Sequence, residues 1–557
     1  MIDLFNLAII LKSNFFGAIM FQNISDLYFR QSTITFYKTR GGEKLENTII
    51  KYITGPNGKG LKLNRADVET LLFLFEHKLI SQPQLFQFYS LIKAIHYDSF
   101  RKKVNKFAKL GLIQLKKYVI KKKRKGVETT LIQLTEKGFW LLKKAGYLNN
   151  TSFDINQIGM KWDRTLAIKE IVLHAIKAEG MKKGVVTGGQ NKHLYLFDKK
   201  KATALNLVTN AEYDLPPNTV TICSNEFSED MTKISSEKIV DSFVLKRDIL
   251  YSFNSITQMF PNDSHENMLE PDWILGLNNN LLDIEVDTGY RTFVNGEEII
   301  ELGKAVTIEE RMNQYIQLHE NYPLNHTVIY VYLDDSFLFK KNYGKKLQRI
   351  RNLKKIIMNV DSIRESPLDI YVISLESSKN VVETLFHLFR GDISDEGLIE
   401  DAFKEISSKS EINAHYTNQL LSIENARQLN YLIPQEELRI QKLFYFYALK
   451  NGKRIEKVLI PIPMYEGNVR SQALLQHLSN LLKENKLKWG LPDDSKILAI
   501  YPNKEAMDRD IFRSDAVKEQ IILCNLEELK FDKYCKFYDI NRKGEMSFNE
   551  ATRNNEI

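Results

Sequence analysis

The chain has 557 residues, enough for three or four domains, with 43% hydrophobic and 27% charged residues. That balance excludes wholesale disorder and leaves room for sizeable buried cores. Net charge is only +8, yet nineteen Lys and Arg against six Asp and Glu fall between residues 61 and 150, so the rest of the chain is net acidic. A positive field held in one segment is expected of a module that faces phosphates. The three cysteines, Cys223, Cys524 and Cys535, have the spacing of neither a zinc site nor a disulfide framework, which implies a reducing, cytoplasmic setting.

The first stretch, MIDLFNLAIILKSNFFGAIMF, is apolar, but it starts acidic at Asp3 and is broken by Lys12, Ser13 and Asn14. It therefore does not read as a signal peptide or a spanning helix. Two readings stay open, a packed N-terminal helix or a true start at Met20. Residues 1–60 are expected to form an N-terminal extension, with turn-rich GGEK (Gly41 to Lys44) and GPNGKG (Gly55 to Gly60). From Ala66 to Ile80 the apolar residues recur at helical spacing. Ser81 caps a second helix with Pro83 in its first turn. Asp98 is placed to cap a third, Ser99 to Gly111. In it Phe100, Val104, Phe107 and Leu110 form one apolar stripe, while Arg101, Lys102, Lys103, Lys106 and Lys109 lie off it. A helix anchored by one face and basic elsewhere suits the DNA major groove.

Two strands follow, Leu112 to Ile120 and Val127 to Leu134. Between them KKKRKG places Lys121, Lys122, Lys123, Arg124 and Lys125 at a tip suited to a phosphate backbone. LTEKGFWLL then closes the segment as a helix with Thr135 near its cap. This order and closure strongly resemble winged helix-turn-helix regulators, which implies double-stranded DNA as a partner for residues 61–150. The competing reading is a winged helix used for protein contacts. NNTSFDINQIG (Asn149 to Gly159) reads as a linker, and Trp162 to Gly180 as a helix on which Glu170 offers an acid.

The most informative stretch is LEPDWILGLNNNLLDIEVDTGYRT, Leu269 to Thr292. It reads as two strands joined by an Asn-rich turn, Asn278 to Asn280. Strand alternation sets Asp283, Glu285 and Asp287 on one face, with Ile284 and Val286 on the other. Asp272 is expected in the paired strand. Carboxylates on adjacent strands can share divalent cations, as phosphodiester hydrolysis requires. Downstream come a helix (Ala305 to Tyr322), a buried strand (His326 to Asp335), a basic amphipathic helix (Lys345 to Asn359), a strand (Leu368 to Glu376) and a helix (Ser378 to Gly391). Strands alternating with helices imply a mixed sheet covered by helices.

A winged helix, then PD, an ExD pair and an RMNQY helix resemble the replication-relaxation family of plasmid and integrative-element proteins. The pattern is also similar to the C-type mobilisation relaxases, for which a core like restriction endonucleases is proposed. The resemblance covers about Ala66 to Gly391. It implies a PD-(D/E)xK-like nuclease or relaxase domain over residues 151–392, with Asp272, Glu285 and Asp287 as metal ligands, Mg2+ or Mn2+ as cofactor, and Arg311 and Tyr315 in the catalytic set. Asp287 stands where the motif has Lys, which removes the usual cation near the attacked phosphate. Lys304, Arg311 and Tyr315 share one helix face. A relaxase needs a nucleophile that can reverse the cut; Tyr315 is the first candidate and Tyr290 the second, with a metal-activated water as the other route.

Plain readings stand beside these: Glu285 and Asp287 as salt-bridge partners of Arg291 and Arg311, and Tyr315 as a core aromatic. The acidic GDISDEG (Gly391 to Gly397) marks a boundary before a further α/β domain, residues 393–557, of unassigned role. Its tail, Asp539 to Glu550, matches an EF-hand loop except at Lys543, which favours a chance match. The expected whole is thus a multi-domain α/β protein: an N-terminal winged helix, a central restriction-endonuclease-like mixed sheet and a C-terminal α/β domain. Three functions follow. One is a relaxase-like enzyme nicking an origin of transfer or replication; the second is a non-catalytic replication or transfer regulator; the third, weaker for want of the motif Lys, is a restriction endonuclease. Accessory transfer or replication proteins and a homodimer are the other expected partners, with no membrane association.

Overall fold

The computed structural model describes residues 32–37, 49–54, 60–120, 127–144, 147–148, 162–180, 185–187, 193–195, 250–253, 271–287, 293–294, 297–298, 306–321, 324–333, 346–360, 366, 368–413, 416–433, 442–450, 453–512, 518–533 and 535–540. The chain is mixed α/β and divides into two compact units, residues 1–233 with 250–252, and residues 234–249 with 253–557. Among the described residues no helix is long and apolar enough to cross a membrane. The N-terminal apolar stretch, the linker at Asn149 to Gly159, Cys223 and the tail after Ile540 lie outside the described residues.

In the first unit, a three-stranded antiparallel ribbon, Ser32–Tyr37, Ile49–Thr54 and Gly60–Leu63, precedes the helices. Helix α1 (Arg65–His77) opens on a capping box in which the Asn64 side chain accepts from the Asp67 amide and Asp67 accepts from the Asn64 amide. That reciprocal pair satisfies two orphan donors of the first turn. The helix is shorter than its apolar pattern predicts. Lys78 turns the backbone to φ 60°, and Leu79 and Ile80 become strand β1 (Leu79–Ser81). A second capping box, Ser81 with Gln84, and Pro83 in the first turn start α2 (Gln82–Ile92) as expected.

Helix α3 (Tyr97–Lys109) begins two residues earlier than expected. His96 is its N-cap, and Asp98 sits inside the first turn, 3.4 Å from Arg101. An acid there complements the positive end of the helix dipole. Gly111, at φ 71°, takes the left-handed position that ends the helix. Strands β2 (Ile113–Ile120) and β3 (Val127–Leu134) pair antiparallel, and β1 adds to the other edge of β3. Thr135 accepts from the Gly138 amide at the start of α4 (Glu136–Lys144). Gly138 must be glycine, because a Cβ would lie 2.3 Å from the Leu112 carbonyl oxygen. Helix α5 (Trp162–Ala175) completes this part.

Among the described residues the second unit holds two large sheets and a small three-stranded one formed by Phe293–Val294, Glu297–Glu298 and Val306–Thr307. Strands β4 (Trp273–Leu277) and β5 (Asn280–Asp287) form an antiparallel hairpin in register Trp273 with Ile284. Its two-residue turn places Asn278 at φ 51° and Asn279 at φ 63°, which is the chemistry a tight hairpin needs. Helix α6 (Ile308–Asn321) leads to β6 (Asn325–Tyr332), parallel to β5. Helix α7 (Lys346–Met358) leads to β7 (Asp369–Ser374), parallel to β6. Within this unit the strand order is β7-β6-β5-β4. Helices α8 (Ser378–Arg390) and α9 (Asp395–Asn413) follow.

The second sheet has the order β8-β9-β10-β11-β12-β13: β8 (Tyr416–Ser422), β9 (Lys442–Lys450), β10 (Lys453–Pro463), β11 (Lys496–Tyr501), β12 (Ile521–Asn525) and β13 (Tyr538–Asp539). The first three are antiparallel, β10 to β12 are parallel, and helix α10 (Val469–Asn485) crosses between β10 and β11. The two large sheets are tied directly. The Val372 amide donates to the Gly467 carbonyl at 2.9 Å. The fully buried Asp510 accepts from Lys354 on α7 at 2.9 Å, and also from Gln472, Tyr501 and the Gly467 amide.

Candidate functional sites

Two places carry the residues singled out from sequence. The first is α3. Phe100, Val104 and Phe107 are buried, and each such side chain contributes roughly 1.5–3 kcal/mol on leaving water. Their stripe fixes which face of the helix looks out. On that outer face Arg101, Lys102, Asn105, Lys106 and Lys109 are exposed.

Lys103 departs from its expected role as a DNA contact. Its Nζ sits 2.6 Å from Asp67 Oδ1 and 3.1 Å from the Tyr89 hydroxyl, so it ties α3 to α1 and α2. Tyr89 in turn donates to Asp67 at 3.2 Å. Burial, and then the Asp67 charge, push the Tyr89 hydroxyl far above its ordinary range, so it stays a neutral donor. The signal was present in the spacing: Lys103 is three residues after Phe100 and four before Phe107, at the edge of the apolar stripe. The tip residues Lys121, Lys122, Lys123, Arg124 and Lys125 lie outside the described residues; β2 and β3 lead into and out of them.

The second place is the acidic face of β5. Alternation sets Asp283, Glu285 and Asp287 on one side, all buried, as the strand pattern predicts. Each carboxylate has its own partner from a different later element. Asp283 Oδ2 lies 2.7 Å from His326 Nδ1 on β6, and both side chains are fully buried. Glu285 Oε1 accepts from Arg311 at 2.8 and 3.1 Å, and from the Tyr315 hydroxyl at 2.7 Å, both on α6. Asp287 takes Arg349 of α7 in a two-pronged pair at 2.8 and 3.3 Å. Asp272 precedes β4 rather than lying within it. Its Oδ2 accepts from the Val286 amide at 2.8 Å, pinning the open end of the hairpin.

These residues do not fit a resident divalent ion in this arrangement. Such an ion needs carboxylate oxygens converging on one point, whereas one oxygen of Asp272, one of Glu285 and both of Asp287 are taken by amide, guanidinium and phenol donors. Among the described residues no group of three or more His, Cys, Asp or Glu is arranged to hold a metal. Nor does Tyr315 have the setting of a nucleophile. It is fully buried, and burial together with the neighbouring Glu285 charge pushes its hydroxyl well above the ordinary value. It matches the core-aromatic reading instead.

Lys304, Tyr290 and Arg291 lie outside the described residues. Glu170 belongs to the first unit, where Gln84 donates to it at 2.9 Å and His174 lies 3.4 Å away. Arg349, His326 and the Lys354–Asp510 pair were not singled out from sequence. Arg349 is one of several cations on a basic helix, and only the packing of α7 on the sheet picks it out. No family model matches this chain, and no curated protein matches it either.

Proposed function

We propose that the chain is a DNA-binding protein. In this reading residues 61–150 act as a winged helix-turn-helix that sets α3 in the major groove. The central sheet keeps a nuclease-like strand layout without working as a nuclease. The observation that carries it is the outer face of α3, where five exposed side chains, four of them cationic, stand opposite a buried stripe. The order α1-β1-α2-α3-β2-β3, with β1 and β2 flanking β3, supports it further, since this is the frame that presents a third helix to DNA.

The paired carboxylates of β5 favour a regulator over a nicking enzyme, such as a replication or transfer regulator acting at an origin on a mobile element. The antiparallel hairpin followed by two parallel strands supports kinship with restriction-endonuclease-like cores. In the competing relaxase reading, Arg311 and Arg349 would have to leave Glu285 and Asp287 before Mg2+ or Mn2+ could bind. The test is duplex binding by fluorescence anisotropy over a range of salt. Lys102→Ala with Lys109→Ala should weaken binding to all sequences and lower the salt slope by about 2. An unchanged affinity and slope would remove α3 as the DNA-facing element.

A further inference from the structure

Resting on the DNA-binding reading, we infer that Asn105 is the base-reading residue of α3, and that it recognises an adenine edge in the major groove. Asn105 is exposed in a helix whose buried stripe is Phe100, Val104 and Phe107. It lies three residues after Lys102 and four before Lys109, so all three share the outward face. The neighbours on that face are cations, which meet phosphates without regard to sequence or, where they reach a base, favour guanine. Asn105 carries no charge, and its side chain offers an acceptor and a donor side by side. That pattern matches the N6 donor and N7 acceptor of adenine in a bidentate pair.

Among the described residues nothing in the fold calls for an asparagine here. Position 105 is in the interior of a thirteen-residue helix, where Asn is a poor helix former and more at home in caps and turns. The cap positions of α3 are occupied by other residues, His96 and Leu110. No hydrogen bond to the Asn105 side chain is formed among the described residues. By contrast Lys103, two positions earlier, is held by Asp67 and Tyr89. That tether fixes the rotation of α3 about its axis and keeps the Asn105 face outward. Arg101, at the edge of the face, is drawn toward Asp98, which leaves the centre to Lys102, Asn105 and Lys109.

The experiment selects preferred duplexes from a random pool with the full chain, then measures affinity by anisotropy. The preferred site should contain an A·T pair whose replacement by G·C, or whose adenine's replacement by 7-deazaadenine, lowers wild-type affinity on the order of ten- to hundredfold. In Asn105→Ala that penalty should fall to near onefold, with the salt slope unchanged. Ala is a stronger helix former than Asn, so the variant retains α3, and circular dichroism verifies it. If Asn105→Ala keeps the wild-type penalty at every position, the inference is overturned while DNA binding by α3 stands. If neither wild type nor variant binds any duplex, the DNA-binding reading falls, and this inference with it.

Discussion

Replacing Glu285 by Ala separates a structural role for the acidic strand from a catalytic one. In the native arrangement one oxygen of Glu285 receives Arg311 at 2.8 Å and Tyr315 at 2.7 Å. The Glu285 side chain is 2% exposed and that of Arg311 13%. Removing the carboxylate takes this partner from a guanidinium that sees little water, and breaking such a pair costs about 3–5 kcal/mol. It also leaves the fully buried Tyr315 hydroxyl without this acceptor, a further ~1–3 kcal/mol. Residual water at Arg311 offsets part of the sum, so a loss of about 4 kcal/mol is expected, a large share of a typical 5–15 kcal/mol. Denaturant unfolding followed by tryptophan fluorescence is the assay, since Trp273 pairs directly with Ile284 beside this site. DNA affinity should be retained if, as proposed, the DNA-facing residues are on α3. A carboxylate held for a metal behaves in the opposite way, because its removal relieves repulsion. Stability of Glu285→Ala equal to or above wild type would therefore refute the structural role.

Three further outcomes follow from the same geometry. Lys103→Ala should destabilise the first unit by ~2–4 kcal/mol, because it leaves the buried Asp67 without its cation, whereas Lys102→Ala should leave the unfolding midpoint in place; equal effects would contradict the inward placement of Lys103. Lys354→Ala should cost about 3–5 kcal/mol by taking its cation from the buried Asp510 side chain, read as a lowered midpoint that Asp510→Asn in the same chain partly restores. Glu466 has its carboxyl pushed up to about 8 by burial. The folded state then holds a proton that the unfolded state releases above about pH 4.5, so this group lowers stability progressively between pH 4.5 and 8. Glu466→Gln should flatten that fall, and a wild-type and variant difference that does not grow with pH over this range would count against it.

Local structure was largely legible in the sequence, and the reasons are local. The Ser81 cap, Pro83, Gly111 and the Asn278–Asn279 turn each announce a break or a start through their own backbone chemistry. The period-2 pattern of β5 set its carboxylates on one face. What sequence did not reveal was pairing across elements. Leu79 and Ile80 continue the apolar pattern of α1, yet tertiary pairing with β3 makes them a strand. The spacing put Lys103 at the edge of the apolar stripe, but did not show that Asp67, 36 residues away, is its partner. Arg311 was offered by the sequence as an ion-pair partner and meets Glu285, but spacing could not show that Arg349 and His326 arrive from two other elements to meet Asp287 and Asp283.

The most direct measurement incubates the full chain with supercoiled plasmid and Mg2+ or Mn2+, reading mobility shift and strand breaks on the same gel. A DNA-binding regulator retards the plasmid and leaves it supercoiled, and the retardation weakens in Lys102→Ala with Lys109→Ala. Open-circular product that disappears in Glu285→Gln or Asp287→Asn would contradict this and restore the nicking enzyme.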